Sequence, residues 1–243
     1  MNIKKYIPNL FTLGNLLCGT LATMAAVNNY YQAVWMLVVL GVVLDFFDGF
    51  LARILRVQGE LGKQLDSLAD VVTSGVVPGL LMFKFYEDVL NSGDQYTNLL
   101  VLLAFLSFIL TLSAAYRLAK FNIDTRQSES FIGLPTPAMS LFVVSLPIIH
   151  MNTNIEFVKE LISNNYFLVG VTLVLSYLMN AELPLFSLKF KNFGFKKSIV
   201  KYLLILISVV LLVTIQYLAI PIIIIAYIIL SIIHNQVNKK HPV

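Results

Sequence analysis

Four aspartates in one short stretch carry the most specific chemistry in this sequence. Asp45 and Asp48 are three residues apart in Leu44-Asp45-Phe46-Phe47-Asp48-Gly49-Phe50-Leu51-Ala52-Arg53, and Asp66 and Asp70 are four apart in Asp66-Ser67-Leu68-Ala69-Asp70. Residues three or four apart share a helix face, so the pattern predicts two helices that each present a pair of carboxylates. The connection from Ile54 to Leu65 is short enough to set the pairs face to face at one end of a bundle. Four clustered acids repel one another, and near lipid each costs a few kcal/mol in lost hydration, so positive charge belongs among them. Hard divalent cations take oxygen ligands, and a two-metal clamp suits displacement at phosphorus because it stabilises the attacking and leaving oxygens. The plainer alternative is ion pairing with Arg53, Arg56 and Lys63. Gly49, Ala52 and Gly62 fit close helix packing, or a cleft in which a flat base or a phosphate approaches backbone.

The elements that must hold these acids are apolar helices. Of 243 residues 58% are hydrophobic and 12% charged, and the mean hydropathy is +0.82, which makes lipid the solvent for most of the chain. A helix crossing the hydrocarbon needs about 20 apolar residues. Eight stretches are candidates: 11–27, 33–55, 66–85, 97–121, 135–150, 166–179, 200–216 and 218–233. The last two nearly touch, and one segment kinked at Pro221 would reduce eight spans to seven. With eight spans and both ends inside, every lysine and arginine except Lys84 and Lys159 falls on the cytoplasmic side. Lys4, Lys5, Lys189, Lys191 and Arg126 are among those counted inside. The start of the chain lacks the apolar core and cleavage site of a secretory signal, so the first apolar stretch is expected to remain as a span. The net charge of +4 is scattered between apolar runs rather than gathered on a face, which argues against a nucleic-acid partner. Cys18 reads as packing, and His150, His234 and His241 have no ligand spacing. The chain is read as one integral membrane domain over residues 1–243, all-α and polytopic.

Asp48-Gly49-x-x-Ala52-Arg53, eight residues, Gly62, three residues, Asp66, three residues and Asp70 resembles the full signature of the CDP-alcohol phosphotransferases, with Asp45 as the extra leading aspartate. The resemblance implies that Asp45, Asp48 and Asp66 hold divalent metal, Mg2+ or Mn2+ and two ions. It implies that Asp70 ligates one ion and acts as base on the incoming hydroxyl, that Gly49 and Ala52 border the cytidine, and that Arg53 helps hold the site together. Asn9, Thr12 and Gly62 join the CDP-diacylglycerol-binding set. A homodimer is also implied, while the lysine and arginine distribution sets the expected site at the cytoplasmic face of the cell inner membrane.

Two further segments narrow the acceptor. Ile7-Pro8-Asn9-Leu10-Phe11-Thr12-Leu13-Gly14-Asn15, with Arg117-Leu118-Ala119-Lys120-Phe121-Asn122 and Phe131-Ile132-Gly133-Leu134-Pro135-Thr136-Pro137, resembles the phosphatidylserine synthase branch. That branch implies transfer of the phosphatidyl group from CDP-diacylglycerol to L-serine, releasing CMP. Asn9, Thr12 and Asn15, spaced by three, form a polar stripe that faces the nucleotide or serves as interhelical glue. Arg117 and Lys120 are also three apart and supply cations for a phosphate or a carboxylate, with Arg126 a weaker candidate. Pro135 and Pro137 are expected to begin or kink the fifth span. Tyrosines and phenylalanines are assigned to lipid or the interface. Glycerol 3-phosphate or an inositol phosphate as acceptor would call for a denser basic pocket. A prenyltransferase lacks this Asp-Gly-x-x-Ala-Arg pattern. A cation transporter should repeat its acids in two halves, yet after Asp124 only Glu129, Glu156, Glu160 and Glu182 occur.

Overall fold

The computed structural model describes residues 6–91, 98–124, 130–186 and 195–240. Lys4, Lys5, Arg126, Lys189 and Lys191 lie outside them. The chain is a bundle of helices with one small β pairing. In order these are α1 (Tyr6–Val27), α2 (Tyr31–Ile54), α3 (Glu60–Val71), α4 (Val77–Asn91), α5 (Asn98–Phe105), α6 (Ile109–Ile123), β1 (Ser130–Ile132), α7 (Thr136–Asn152), α8 (Glu156–Ile162), α9 (Asn165–Asn180), β2 (Pro184–Phe186), α10 (Phe195–Ile215) and α11 (Ala219–Lys240).

The described residues of the eight apolar stretches fall mainly on helix, but length and composition admit fewer crossings. Five helical runs qualify among the described residues, or six if α8 and α9, bent by 68°, form one span. The apolar α7 is shorter, at 17 residues. α10 and α11 qualify together as one run, although the helix breaks between them at Gln216, whose φ is 47°. Pro221, where a kink was expected, sits in the first turn of α11, and there its missing N–H costs nothing. Large apolar side chains such as Leu10, Met24, Leu112 and Val213 face outward along these helices, the surface expected against lipid.

Three helices make the frame of the aspartates. α1 lies along α2 and also packs on α3 and α4. α3 and α4 form a single rod joined by a wide π turn, Val72–Val76, which begins two residues after Asp70. Such turns free backbone carbonyls that need new donors. Thr111 Oγ1 of α6 donates to the Gly75 carbonyl at 2.9 Å. Thr73 Oγ1 in turn donates to the Asn15 carbonyl at 3.1 Å, fixing α1 to the rod. At the other end of the bundle Asn29 and Tyr31 both donate to Asp88, so the α1–α2 turn is tied to α4.

A second layer closes the frame. α6 packs on α9, and α7 touches α2, α4 and α11. β1 pairs antiparallel with β2, with Phe131 opposite Leu185. The chain then turns at Gly133, whose φ of +76° and close approach to the Met179 carbonyl leave no room for a Cβ. Pro135 caps α7 and Pro137 lies in its first turn, so the pair begins this helix as expected.

Candidate active site

Helical spacing alone explains how α2 presents Asp45 and Asp48 together, and the α1 contact turns that face inward. α3 starts at Glu60, after a five-residue link, and brings Asp66 opposite them. Ligand atoms of Asp45, Asp48 and Asp66 all lie within 4.8 Å of one another. Asp70 lies one turn farther along the rod and does not join that tight group. It is 8% exposed, Asp48 is 5% exposed, and the other two are half-buried.

The ion-pair alternative fails on geometry. Among the described residues no lysine or arginine forms an ion pair with any of the four aspartates. Lys63 instead donates to the Asn122 carbonyl at 2.6 Å, and Asn122 Nδ2 donates to Ser67 Oγ at 2.8 Å. These bonds hold the end of α6 against α3. Three carboxylates held this close, partly out of water and without a cationic side chain, form an all-oxygen donor set suited to a hard divalent cation.

α1 supplies neutral donors. Thr12 Oγ1 donates to Asp48 Oδ2 at 2.5 Å. Asn15 Nδ2 donates to Asp70 Oδ1 at 3.1 Å, and Asn15 is fully buried. Gly41 makes room for that amide: a Cβ there would sit 2.9 Å from Asn15 Oδ1. The Thr12–Asn15 stripe therefore faces the carboxylates.

Beside the acids opens a cavity of about 440 Å³, and all six residues expected around the nucleotide, Asn9, Thr12, Gly49, Ala52, Arg53 and Gly62, line it. A Cβ on Gly49 would meet nothing within 4 Å, so close helix packing does not require a glycine at this position on the cavity wall. The sequence did not single out Gln58, Gly59 or Glu60 at the same cavity, nor Lys63 as part of its wall. Gln58 and Gly59 come from the short α2–α3 link, and Glu60 and Lys63 from the first turn of α3.

The expected acceptor cations separate. Arg117 is buried, 7% exposed, and interacts electrostatically with Asp70. Lys120, one turn on, points away to Glu182 at 3.8 Å. Arg126 lies outside the described residues. Cys18 is buried in packing.

A family model described as CDP-alcohol phosphatidyltransferase matches residues 5–181. Among curated proteins, a CDP-diacylglycerol–serine O-phosphatidyltransferase of Bacillus subtilis is 34% identical over 145 residues, covering 58% of this chain and 75% of that protein. One of the same name from Helicobacter pylori (strain J99) is 36% identical over 139 residues, covering 56% of this chain and 55% of that protein. An archaetidylserine synthase of Methanothermobacter thermautotrophicus is 31% identical over 153 residues, covering 60% and 61%. The chain thus spans three quarters of the first relative and little more than half of the other two.

Proposed function

This chain belongs to the CDP-alcohol phosphatidyltransferase family, and from that premise we propose that it transfers the phosphatidyl group from CDP-diacylglycerol to L-serine, giving phosphatidylserine and CMP. The observation that carries the reading is the convergence of Asp45, Asp48 and Asp66 within 4.8 Å beside a cavity whose wall includes Gly49, Ala52 and Gly62. The names of the similar proteins support serine as the acceptor.

In this reading the nucleotide lies along Gly49, Ala52 and Gly62, where absent side chains leave space, with Asn9, Thr12 and Arg53 at its edges. Divalent metal, Mg2+ or Mn2+ and two ions, would be held by Asp45, Asp48, Asp66 and Asp70 and would supply charge neutralisation at the diphosphate. Thr12 fixes Asp48, and Asn15 fixes Asp70 through one oxygen, leaving the other to take a proton. Asp70 accepts the proton of the serine hydroxyl, whose oxygen forms a bond to the phosphorus bearing diacylglycerol. The bond from that phosphorus to the CMP oxygen breaks, and CMP leaves with the electron pair. The rate gain comes mainly from holding these groups in line. Arg117, buried beside Asp70, supplies the cation for the acceptor's carboxylate. Lys120 and Arg126 are secondary candidates for that role.

The wider setting belongs to the same proposal: one domain over residues 1–243, both termini inside, an inner-membrane site open to the cytoplasm, membrane lipids around it, and a homodimer. The lysine and arginine distribution supports the orientation. The test is to give purified protein CDP-diacylglycerol and Mg2+ or Mn2+ with serine, glycerol 3-phosphate or inositol phosphate in turn. CMP release with serine alone supports the reading, and release with another acceptor in its place overturns it.

A further inference from the structure

Asp70 and Thr73 stand three residues apart on the α3–α4 rod, and both reach the same residue of α1. Asn15 gives its side-chain amide to Asp70 Oδ1 at 3.1 Å, and its backbone carbonyl accepts from Thr73 Oγ1 at 3.1 Å. The two bonds close a ring that runs from the Asp70 carboxylate through Asn15 to Thr73 and back along the rod. All three residues are buried. A side chain held at its own backbone as well as at its tip has little freedom to reorient, which is how supporting hydrogen bonds keep a reacting group in place.

The surroundings of Thr73 fit this use of its hydroxyl. The helix carbonyl of Asn15 faces residue 19, one turn on, and that residue is glycine. A Cβ on Gly19 would collide with Thr73 Oγ1 and stand 3.0 Å from Thr73 Cα, so the glycine leaves the carbonyl open to a second donor. On the other side, Gly41 of α2 stands against both partners. A Cβ there would lie 2.8 Å from Thr73 Cγ2 and 2.9 Å from Asn15 Oδ1. Thr73 thus has its hydroxyl on α1 and its methyl against α2. It belongs to the π turn Val72–Val76, whose Gly75 carbonyl is held by Thr111 of α6 at 2.9 Å. Four helices therefore meet around the turn that follows Asp70, and such turns are frequent at functional sites.

We propose that Thr73 is a positioning residue for the transfer reaction: its hydroxyl holds the Asn15 backbone so that the Asn15 amide keeps Asp70 in its reactive orientation. The proposal rests on the reading of Asp70 as the base given above. Thr73 acts through Asn15 alone and touches neither substrate nor metal.

Steady-state CMP release by variants of the full chain tests it. Thr73→Val keeps the shape and removes the hydroxyl. Losing one neutral hydrogen bond should lower kcat about fivefold, with the KM for serine and for CDP-diacylglycerol unchanged. Thr73→Ser keeps the hydroxyl and should hold kcat within about twofold of wild type. In an Asn15→Ala background Thr73→Val should cost nothing further, because the group it acts through is gone. Losses that multiply in the double variant would give Thr73 a role apart from Asn15, and a Thr73→Ser protein as slow as Thr73→Val would make it packing. Either result overturns the proposal, as would a wild-type kcat in Thr73→Val. If Thr73→Val does not assemble, Thr73→Ala is compared with Thr73→Ser, since both lack the methyl and only the first lacks the hydroxyl; equal kcat values overturn the proposal. Asp70→Asn protein that still turns over would instead defeat the underlying reading of the base.

Discussion

Asn15→Ala isolates one interaction on which the proposed base depends. The amide is fully buried, donates to Asp70 Oδ1 at 3.1 Å, and faces the gap left by Gly41. A hydrogen bond to a charged group contributes about 1.5–3 kcal/mol, and about 1.4 kcal/mol is a factor of ten in rate. If the bond holds Asp70 in its reactive position, Asn15→Ala should lower kcat about ten- to a hundredfold, leaving the KM for CDP-diacylglycerol unchanged. Asn15→Asp should lose more, because it replaces a donor with a second carboxylate against the first. Gly41→Ala should reproduce part of the defect from the neighbouring helix, since its Cβ would press on Asn15 Oδ1 at 2.9 Å. The assay is initial-rate CMP release in lipid–detergent micelles, with melting temperature as the folding control. An Asn15→Ala protein that melts normally and turns over within about twofold of wild type would refute the reasoning.

Asp70→Asn should abolish turnover while CDP-diacylglycerol still binds in an equilibrium assay; retained turnover would remove Asp70 as the base. Gly49→Leu should raise the KM for CDP-diacylglycerol steeply without lowering the melting temperature, because its side chain would enter open cavity; a lost fold with unchanged KM would return Gly49 to helix packing. Arg117→Ala should weaken serine binding far more than Lys120→Ala, since Lys120 is turned toward Glu182; equal effects would argue against that division.

The aspartate pairs were legible because helix geometry is local: spacings of three and four decide a shared face without knowledge of the rest of the fold. The close meeting of Asp45, Asp48 and Asp66 then needed only a short link between two helices. Rotation of a helix about its own axis is not local. The sequence left the stripe Asn9-Thr12-Asn15 between nucleotide and packing, and contacts with α2 and α3 turn Thr12 and Asn15 toward carboxylates. Arg117 and Lys120 share a face by number, yet one is drawn toward Asp70 and the other toward Glu182 in the segment after α9.

Other features depended on tertiary context in the same way. Tyr31 and Tyr86 read as lipid-facing or interfacial aromatics, yet in the fold they find partners in Asp88 and the Asn165 carbonyl. The π turn at Val72–Val76 carries no proline and is stabilised by Thr111 from another helix. Pro221 was a reasonable expected break, but a proline in a first turn fits the helix, and the chain breaks at Gln216 instead. The eight apolar stretches did not give eight segments of spanning length among the described residues, because apolarity also marks the shorter α7 and the bent pair α8–α9.

The central claim is that three carboxylates from α2 and α3 bind divalent metal, and Mn2+ binding followed by electron paramagnetic resonance tests it without relying on turnover. Wild-type protein should bind Mn2+ in competition with Mg2+, and the Asp45→Asn, Asp48→Asn and Asp66→Asn variants should each weaken that binding strongly while keeping the wild-type melting temperature. Mn2+ binding that is unchanged when all three aspartates are replaced would contradict the account.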